Sequence, residues 1–96
     1  MERQPAAYIL ASGRNGTLYV GVTSNLIKRV WEHRNDVTAG FTRRHGVHSL
    51  VYFEIHQEMY AAISREKQLK RWRRRFKRQL IESVNPGWRD LWYDIL

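Results

Sequence analysis

Hydrophobic positions along this chain change their period three times. Ala6 to Ala11, with Tyr-Ile-Leu at its centre, and Thr17 to Val22 are short runs rich in aromatic and β-branched residues. Between them, Ser12-Gly13-Arg14-Asn15-Gly16 carries strong turn chemistry, so the segment predicts a β-hairpin. The spacing then turns helical: Leu26, Ile27, Val30 and Trp31 predict a helix that packs on the sheet through one face. Ser24 is its expected N-cap, with the helix beginning at Asn25 and ending near Arg34 or Asn35.

Asp36 to Val47, with Gly40 and Gly46, reads as a loop or short irregular segment, and Ser49 to Glu54 as a third strand. From about Glu58 the period is helical again. Met59, Ala62, Ile63, Leu69, Trp72, Phe76 and Leu80 trace one stripe, with a break expected near Arg73 to Arg75, and Asn85-Pro86-Gly87 stops the helix. The aromatic tail Trp88 to Leu96 is expected to pack back on the body. The order β-β-α-β-α-α suggests an α/β fold of the α+β type, a small three-stranded sheet covered by helices. Residues 1–96 fit one domain with one core.

Charge sharpens this picture. Between Arg65 and Arg78 lie nine cations (Arg65, Lys67, Lys70, Arg71, Arg73, Arg74, Arg75, Lys77, Arg78) against Glu66 alone. That segment therefore sums to +8, the net charge of the whole chain, and the remainder sums to zero. A solvated helix face is the common fate of charge runs, but this one leaves repulsion between neighbouring turns uncompensated. A neutral body with one cationic segment is the footprint of a polyanion binder. There is no cysteine, which excludes disulfides and thiolate metal sites and suits a reducing cytoplasm. Met1 to Pro5 lacks a signal-peptide pattern, and the longest apolar run, Ala6 to Ala11, is too short to span a bilayer. A soluble cytoplasmic protein is expected.

Three residues stand out chemically. Glu66 falls on the apolar stripe between Ala62, Ile63 and Leu69, where an ionised carboxylate is costly unless a cation satisfies it. An ion pair with a neighbouring Arg or Lys and a metal ligand are equally open readings. Arg29 and His33, at i and i+4, share one flank of the first helix, as a solvated pair or as groups directed at a cleft. The four histidines (His33, His45, His48, His56) lack zinc-type spacing.

Ala6-Ala7-Tyr8, then Tyr19-Val20-Gly21, Thr23, Arg29 and His33, together resemble the GIY-YIG endonuclease domain. The resemblance continues through Glu66 in Arg65-Glu66-Lys67-Gln68-Leu69-Lys70 to Asn85 in Asn85-Pro86-Gly87-Trp88-Arg89-Asp90-Leu91. It covers nearly the whole chain and is closest to the stand-alone, single-domain bacterial branch. Ala6-Ala7 replaces the Gly-Ile of the first motif and Val20 the Ile of the second. Both changes suit a strand and remove no reactive group.

The resemblance implies an antiparallel three-stranded sheet with flanking helices and a metal-dependent endonuclease acting on DNA, with repair or recombination as its setting. It implies one divalent ion, Mg²⁺ or Mn²⁺, held by Glu66. Catalytic positions then fall on Tyr8, Tyr19, Arg29, His33, Glu66 and Asn85. A metal-bound carboxylate, an arginine fork for equatorial phosphate oxygens and a proton acceptor are what phosphodiester hydrolysis requires. Tyr19 is the candidate base or water-orienting group; His33 is the rival, or polarises a tyrosine instead. Gly21 leaves the backbone beside Tyr19 unobstructed.

The basic helix (Lys67, Lys70, Arg71, Arg73, Arg74) and the loop Phe41-Thr42-Arg43-Arg44-His45, through Arg43 and Arg44, are the expected backbone grips. Such grips bind phosphate with little sequence preference and strong salt dependence. The partner is nucleic acid, DNA before RNA, with no membrane; the oligomeric state is not legible. A nucleic-acid-binding module with a vestigial or partner-dependent site is the second reading, and a binder of anionic membranes or acidic proteins the third.

Overall fold

The computed structural model of the chain describes residues 4–37 and 40–96. The hairpin forms as its pattern requires. Strand β1 (Ala6–Ala11) and β2 (Leu18–Thr23) pair antiparallel from Ala6↔Thr23 to Ala11↔Leu18. Their turn closes with Ser12 N–H to Thr17 O at 3.0 Å and Thr17 N–H to Ser12 Oγ at 2.9 Å, while Asn15 takes a left-handed φ of 59°. Strand β3 (Ser49–Ile55) pairs antiparallel with the other side of β1, so the order is β2-β1-β3 and the all-buried β1 lies in the middle. The expected α+β architecture with its three-stranded antiparallel sheet is what the chain adopts.

Alternation along β1 divides the core in two. Ala7, Ile9 and Ala11 face Leu69, Ile81 and Trp88 on one side, and Ala6, Tyr8 and Leu10 face Leu26, Val30 and Leu91 on the other. Helix α1 (Leu26–Arg34) covers the Tyr8 face. Helices α3 (Met59–Arg71) and α4 (Arg74–Val84) supply Leu69 and Ile81 to the opposite face, where α3 lies across β1 and β2. Between them come the short helix α2 (Phe41–Arg44) and β3, and the chain finishes in α5 (Trp92–Ile95).

Several local expectations shift by physical detail. The α1 cap is Asn25, whose side chain accepts from Lys28 N at 3.2 Å, and not Ser24. The buried face of α1 is Leu26, Val30 and His33, whereas Trp31 points outward with half its surface exposed. The loop expected over Asp36 to Val47 contains α2, between Gly40 (φ 120°) and Gly46 (φ 63°); its residues 38–39 lie outside the described residues, as do residues 1–3. The long helical stripe breaks at Trp72 and Arg73, both extended, so four of the nine cations fall on α3, four on α4 and Arg73 at the break. Ile63 and Phe76, expected inside, are exposed.

Register shifts between Ile9/Leu10 along β1, leaving Val51 as an extra residue on β3. This bulge turns Val51 and Tyr52 to the same face. The buried Asn85, expected as a late catalytic residue, is committed here instead. Its Nδ2 donates to Val51 O (3.0 Å) and Arg89 O (2.8 Å), and its Oδ1 accepts from Arg89 N (3.0 Å). Both amide protons are used and the residue is 5% exposed, which turns it to the fold and away from a substrate. The loop it braces holds Trp88 at a φ of 55°, with its indole N–H on Glu82 at 2.7 Å. Asn85→Ala strands these partners and is expected to cost roughly 2–3 kcal/mol of stability, read from urea unfolding.

Candidate active site

The Tyr8 side chain, 1% exposed, rises from the central strand opposite Gly21. A Cβ on Gly21 would sit 2.4 Å from Tyr8 Cζ and 2.5 Å from its hydroxyl oxygen. The missing side chain is therefore the space the tyrosine ring occupies. Tyr19, two residues from Gly21 on the same strand face, lies diagonally from Tyr8 with ring centroids 6.5 Å apart.

From α1, His33 meets both tyrosines. Its Nε2 lies 3.0 Å from the Tyr8 hydroxyl, and its ring centroid is 5.6 Å from that of Tyr19. Its Nδ1 lies 3.1 Å from Thr42 Oγ1 on α2. Arg29, one turn earlier, lies against the Tyr8 hydroxyl and bonds Glu32 at 3.2 Å. A guanidinium only donates, so the Tyr8 oxygen accepts from Arg29 and sends its own proton to Nε2. Nδ1–H then donates to Thr42.

Burial dominates the proton affinities. The Tyr8 phenol is pushed up to about 12 by burial first, then by neighbouring Tyr19, with Arg29 opposing and the Glu66 charge adding to the rise. His33 is driven down to about 4 by burial and by the repulsion of Arg29. At neutral pH the pair is therefore phenol and neutral imidazole.

Glu66 comes from the other layer. Helix α3 packs across β2, the edge strand, and the Glu66 charge is felt at Tyr8 from there. Its side chain is 13% exposed and holds Lys70 Nζ at 2.9 Å, whose own side chain is 52% exposed. The ion-pair reading of Glu66 thus has a partner, and that partner stands open to solvent. Beside it, Arg65 clamps α3 to β3 through Nε, 3.0 Å from each Glu54 carboxylate oxygen, and places its guanidinium 5.1 Å over Trp72. With only Ala62 and Leu69 fully buried on α3, this clamp sets how the helix is rotated about its axis, and so where Glu66 points.

The basic segment is less uniform than its sequence. Lys70 is paired with Glu66, and Arg74 donates to the hairpin-turn carbonyls of Asn15 (2.9 Å) and Gly16 (2.6 Å). Lys67, Arg71 and Arg73 are exposed, as are Arg43 and Arg44 on α2. Tyr8, Tyr19, Arg29 and His33 are thus brought together, the Glu66 charge bears on Tyr8 from the α3 layer, and Asn85 is engaged by Val51 and Arg89 instead. Thr42, Glu54 and Arg65 were not distinguishable by sequence. Thr42 stands in a polar loop, and Glu54 and Arg65 become partners only when α3 docks on β3. The glycines flanking α2 were the one available sign of a compact turn there.

A family model described as the GIY-YIG catalytic domain matches residues 4–79. The chain is 43% identical over 76 residues to a UPF0213 protein of Clostridium perfringens, covering 79% of this chain and 81% of that one. It is 39% identical over 67 residues to a UPF0213 protein of Haloquadratum walsbyi, covering 70% and 75% respectively. Among solved structures, the solution NMR structure of a UPF0213 protein of Bacillus halodurans superposes with a TM-score of 0.57 at 26% identity, covering 91% of this chain and 92% of that one.

Two outcomes are expected from this geometry. Gly21→Ala forces the buried Tyr8 ring off His33 and lowers stability by roughly 1–3 kcal/mol, as overpacking does, measured by urea denaturation. The folded pKa of His33 is below its ordinary 6.5, so the unfolded chain binds the proton first as pH falls. Its contribution is present above pH 6.5 and is lost as pH drops towards about 4. Stability should fall through that window by up to about 1.4 kcal/mol per pH unit from this group, and His33→Gln should flatten the slope in urea melts.

Proposed function

The chain belongs to the GIY-YIG catalytic-domain family through its UPF0213 branch, and from that premise we propose that it is a divalent-metal-dependent endonuclease hydrolysing phosphodiester bonds in DNA with little sequence preference. The observation carrying this reading is the meeting of two tyrosines, a neutral histidine and an arginine at one edge, with the Glu66 charge acting on Tyr8 from the opposite layer. The family is one of nucleases, which implies a nucleic-acid substrate.

The donor set suits a hydrated hard cation. Among the described residues there is no cluster of three or more His, Cys, Asp or Glu side chains, and Glu66 offers a single carboxylate. Mg²⁺ accepts such a site because it keeps several waters and needs one or two carboxylates plus phosphate oxygens. When bound at Glu66, the ion would supply charge neutralisation for the phosphate and its departing oxygen.

The protein groups divide the remaining work. Arg29 presents its fork to the equatorial phosphate oxygens, where negative charge accumulates. The Tyr19 hydroxyl has no hydrogen-bond partner among the described residues and is available to orient the attacking water. Tyr8 accepts that water's proton as it passes its own to His33 Nε2, which its depressed pKa leaves unprotonated. His33 acts through Tyr8 and does not itself meet the water, because both ring nitrogens are already engaged. Exposed Lys67, Arg71, Arg73, Arg43 and Arg44 hold the backbone without reading bases.

Plasmid and synthetic DNA incubated with the protein and Mg²⁺ or Mn²⁺ should be cut. Glu66→Ala, Arg29→Ala and Tyr8→Phe should each lose about 10²-fold or more in rate while circular dichroism shows the fold retained. Intact substrate with the wild type under all these conditions, or equal cleavage by Glu66→Ala, overturns the reading. Binding without turnover would instead favour a module with a vestigial or partner-dependent site.

A further inference from the structure

We propose that Phe41 and His45, at the rim of the tyrosine cluster, form a stacking platform for a nucleobase that has left its duplex stack beside the phosphate to be cut. This rests on the nuclease reading above and adds a substrate class: strands with an unpaired base at the point of cleavage.

An aromatic ladder runs outward from the site. The Tyr19 ring stacks with Phe41 at 6.1 Å and 27°, and Phe41 meets His45 at 4.4 Å. Phe41 remains 45% exposed, and His45 is exposed as well. A large apolar ring left half in water beside a reactive centre has surface to offer a flat partner. Its position is not arbitrary. The next residue, Thr42, is buried and bonded to His33 Nδ1, and Val47 N–H closes the short helix on Thr42 O at 2.9 Å. The platform is thereby tied to the same histidine that engages Tyr8.

The surroundings select the partner's charge. Residues 37–53 include no Asp or Glu, whereas Arg43 and Arg44 flank the two rings. The neighbouring acids Glu32 and Asp36 are paired with Arg29 and His48, so a phosphate chain can follow this rim with Arg29 and Tyr19 at one end and the rings at the other. Every nucleobase has a π face, so such a platform tolerates any sequence. A base inside a duplex has both faces covered by its neighbours and cannot use the platform. A bulged, flipped or single-stranded base can.

The test reads binding without cleavage. Metal-free Glu66→Ala protein is titrated with a fluorescent paired duplex, the same duplex with one unpaired base, and that duplex with the unpaired position abasic. The bulged duplex should bind roughly 5- to 100-fold more tightly than the other two. Phe41→Leu, which keeps apolar bulk against Tyr19, and His45→Ala, which changes only an exposed ring, should each erase most of that preference. Affinity for the paired duplex should stay governed by salt. Equal binding of bulged and abasic duplexes, or a preference surviving both substitutions, overturns the platform. Loss of the nuclease reading is distinguishable: a base preference without cleavage by the wild type removes catalysis alone, and no binding to any of the three removes both.

Discussion

Tyr8 can occupy the centre of this protein only because Gly21 has no side chain. The two residues face each other across β1 and β2, and the tyrosine ring fills the volume a Cβ would take. With the ring laid over the edge strand, its hydroxyl reaches His33 and Arg29 on the helix above. A bulkier residue at position 21 would place the phenol elsewhere, and His33, Arg29 and Tyr19 would then share no common centre. This cross-strand vacancy is the constraint from which the geometry of the site follows.

Around that centre, charge is arranged asymmetrically. The phenol and the imidazole are held neutral by burial, while Arg29 and Glu66 bring opposite charges to the same region from the two layers flanking the sheet. Burial weakens screening, so each of those charges acts on the tyrosine more strongly than it would in water. The sheet itself keeps the two layers in register. Asn85 satisfies the bulge carbonyl of β3, the Arg65–Glu54 clamp orients α3, and Asp90 joins the end of α1 to the start of β3 through Arg34 and Leu50 N. None of these contacts performs chemistry. Together they decide where Glu66 and Arg29 stand.

The hairpin, the third strand and the end of α4 before Asn85 were legible because each rests on local chemistry: period-two aromatics, a glycine-rich turn, an Asn-Pro-Gly stop. Trp31 and Ile63 were misplaced because helical spacing admits neighbouring residues to a stripe, whereas packing admits only the few that meet the sheet. Asn85 was assigned to catalysis by resemblance, but its amide is held by backbone groups that approach only after β3 bulges and the tail folds back. The one-signed basic run pointed to a polyanion. Part of it is spent inside the fold, on Glu54, Glu66 and the hairpin carbonyls.

By itself, then, the sequence determined the main strands and helices, the α+β class and the family, and it supplied the candidate reactive side chains. Those depend on residue type and short-range spacing, which a linear chain states outright. Tertiary structure decided which of those side chains share a centre, which tyrosine is buried against histidine, and that α2 brings Thr42 and Phe41 to its rim. These depend on contacts between residues far apart in sequence, fixed only when the two helical layers close on the sheet.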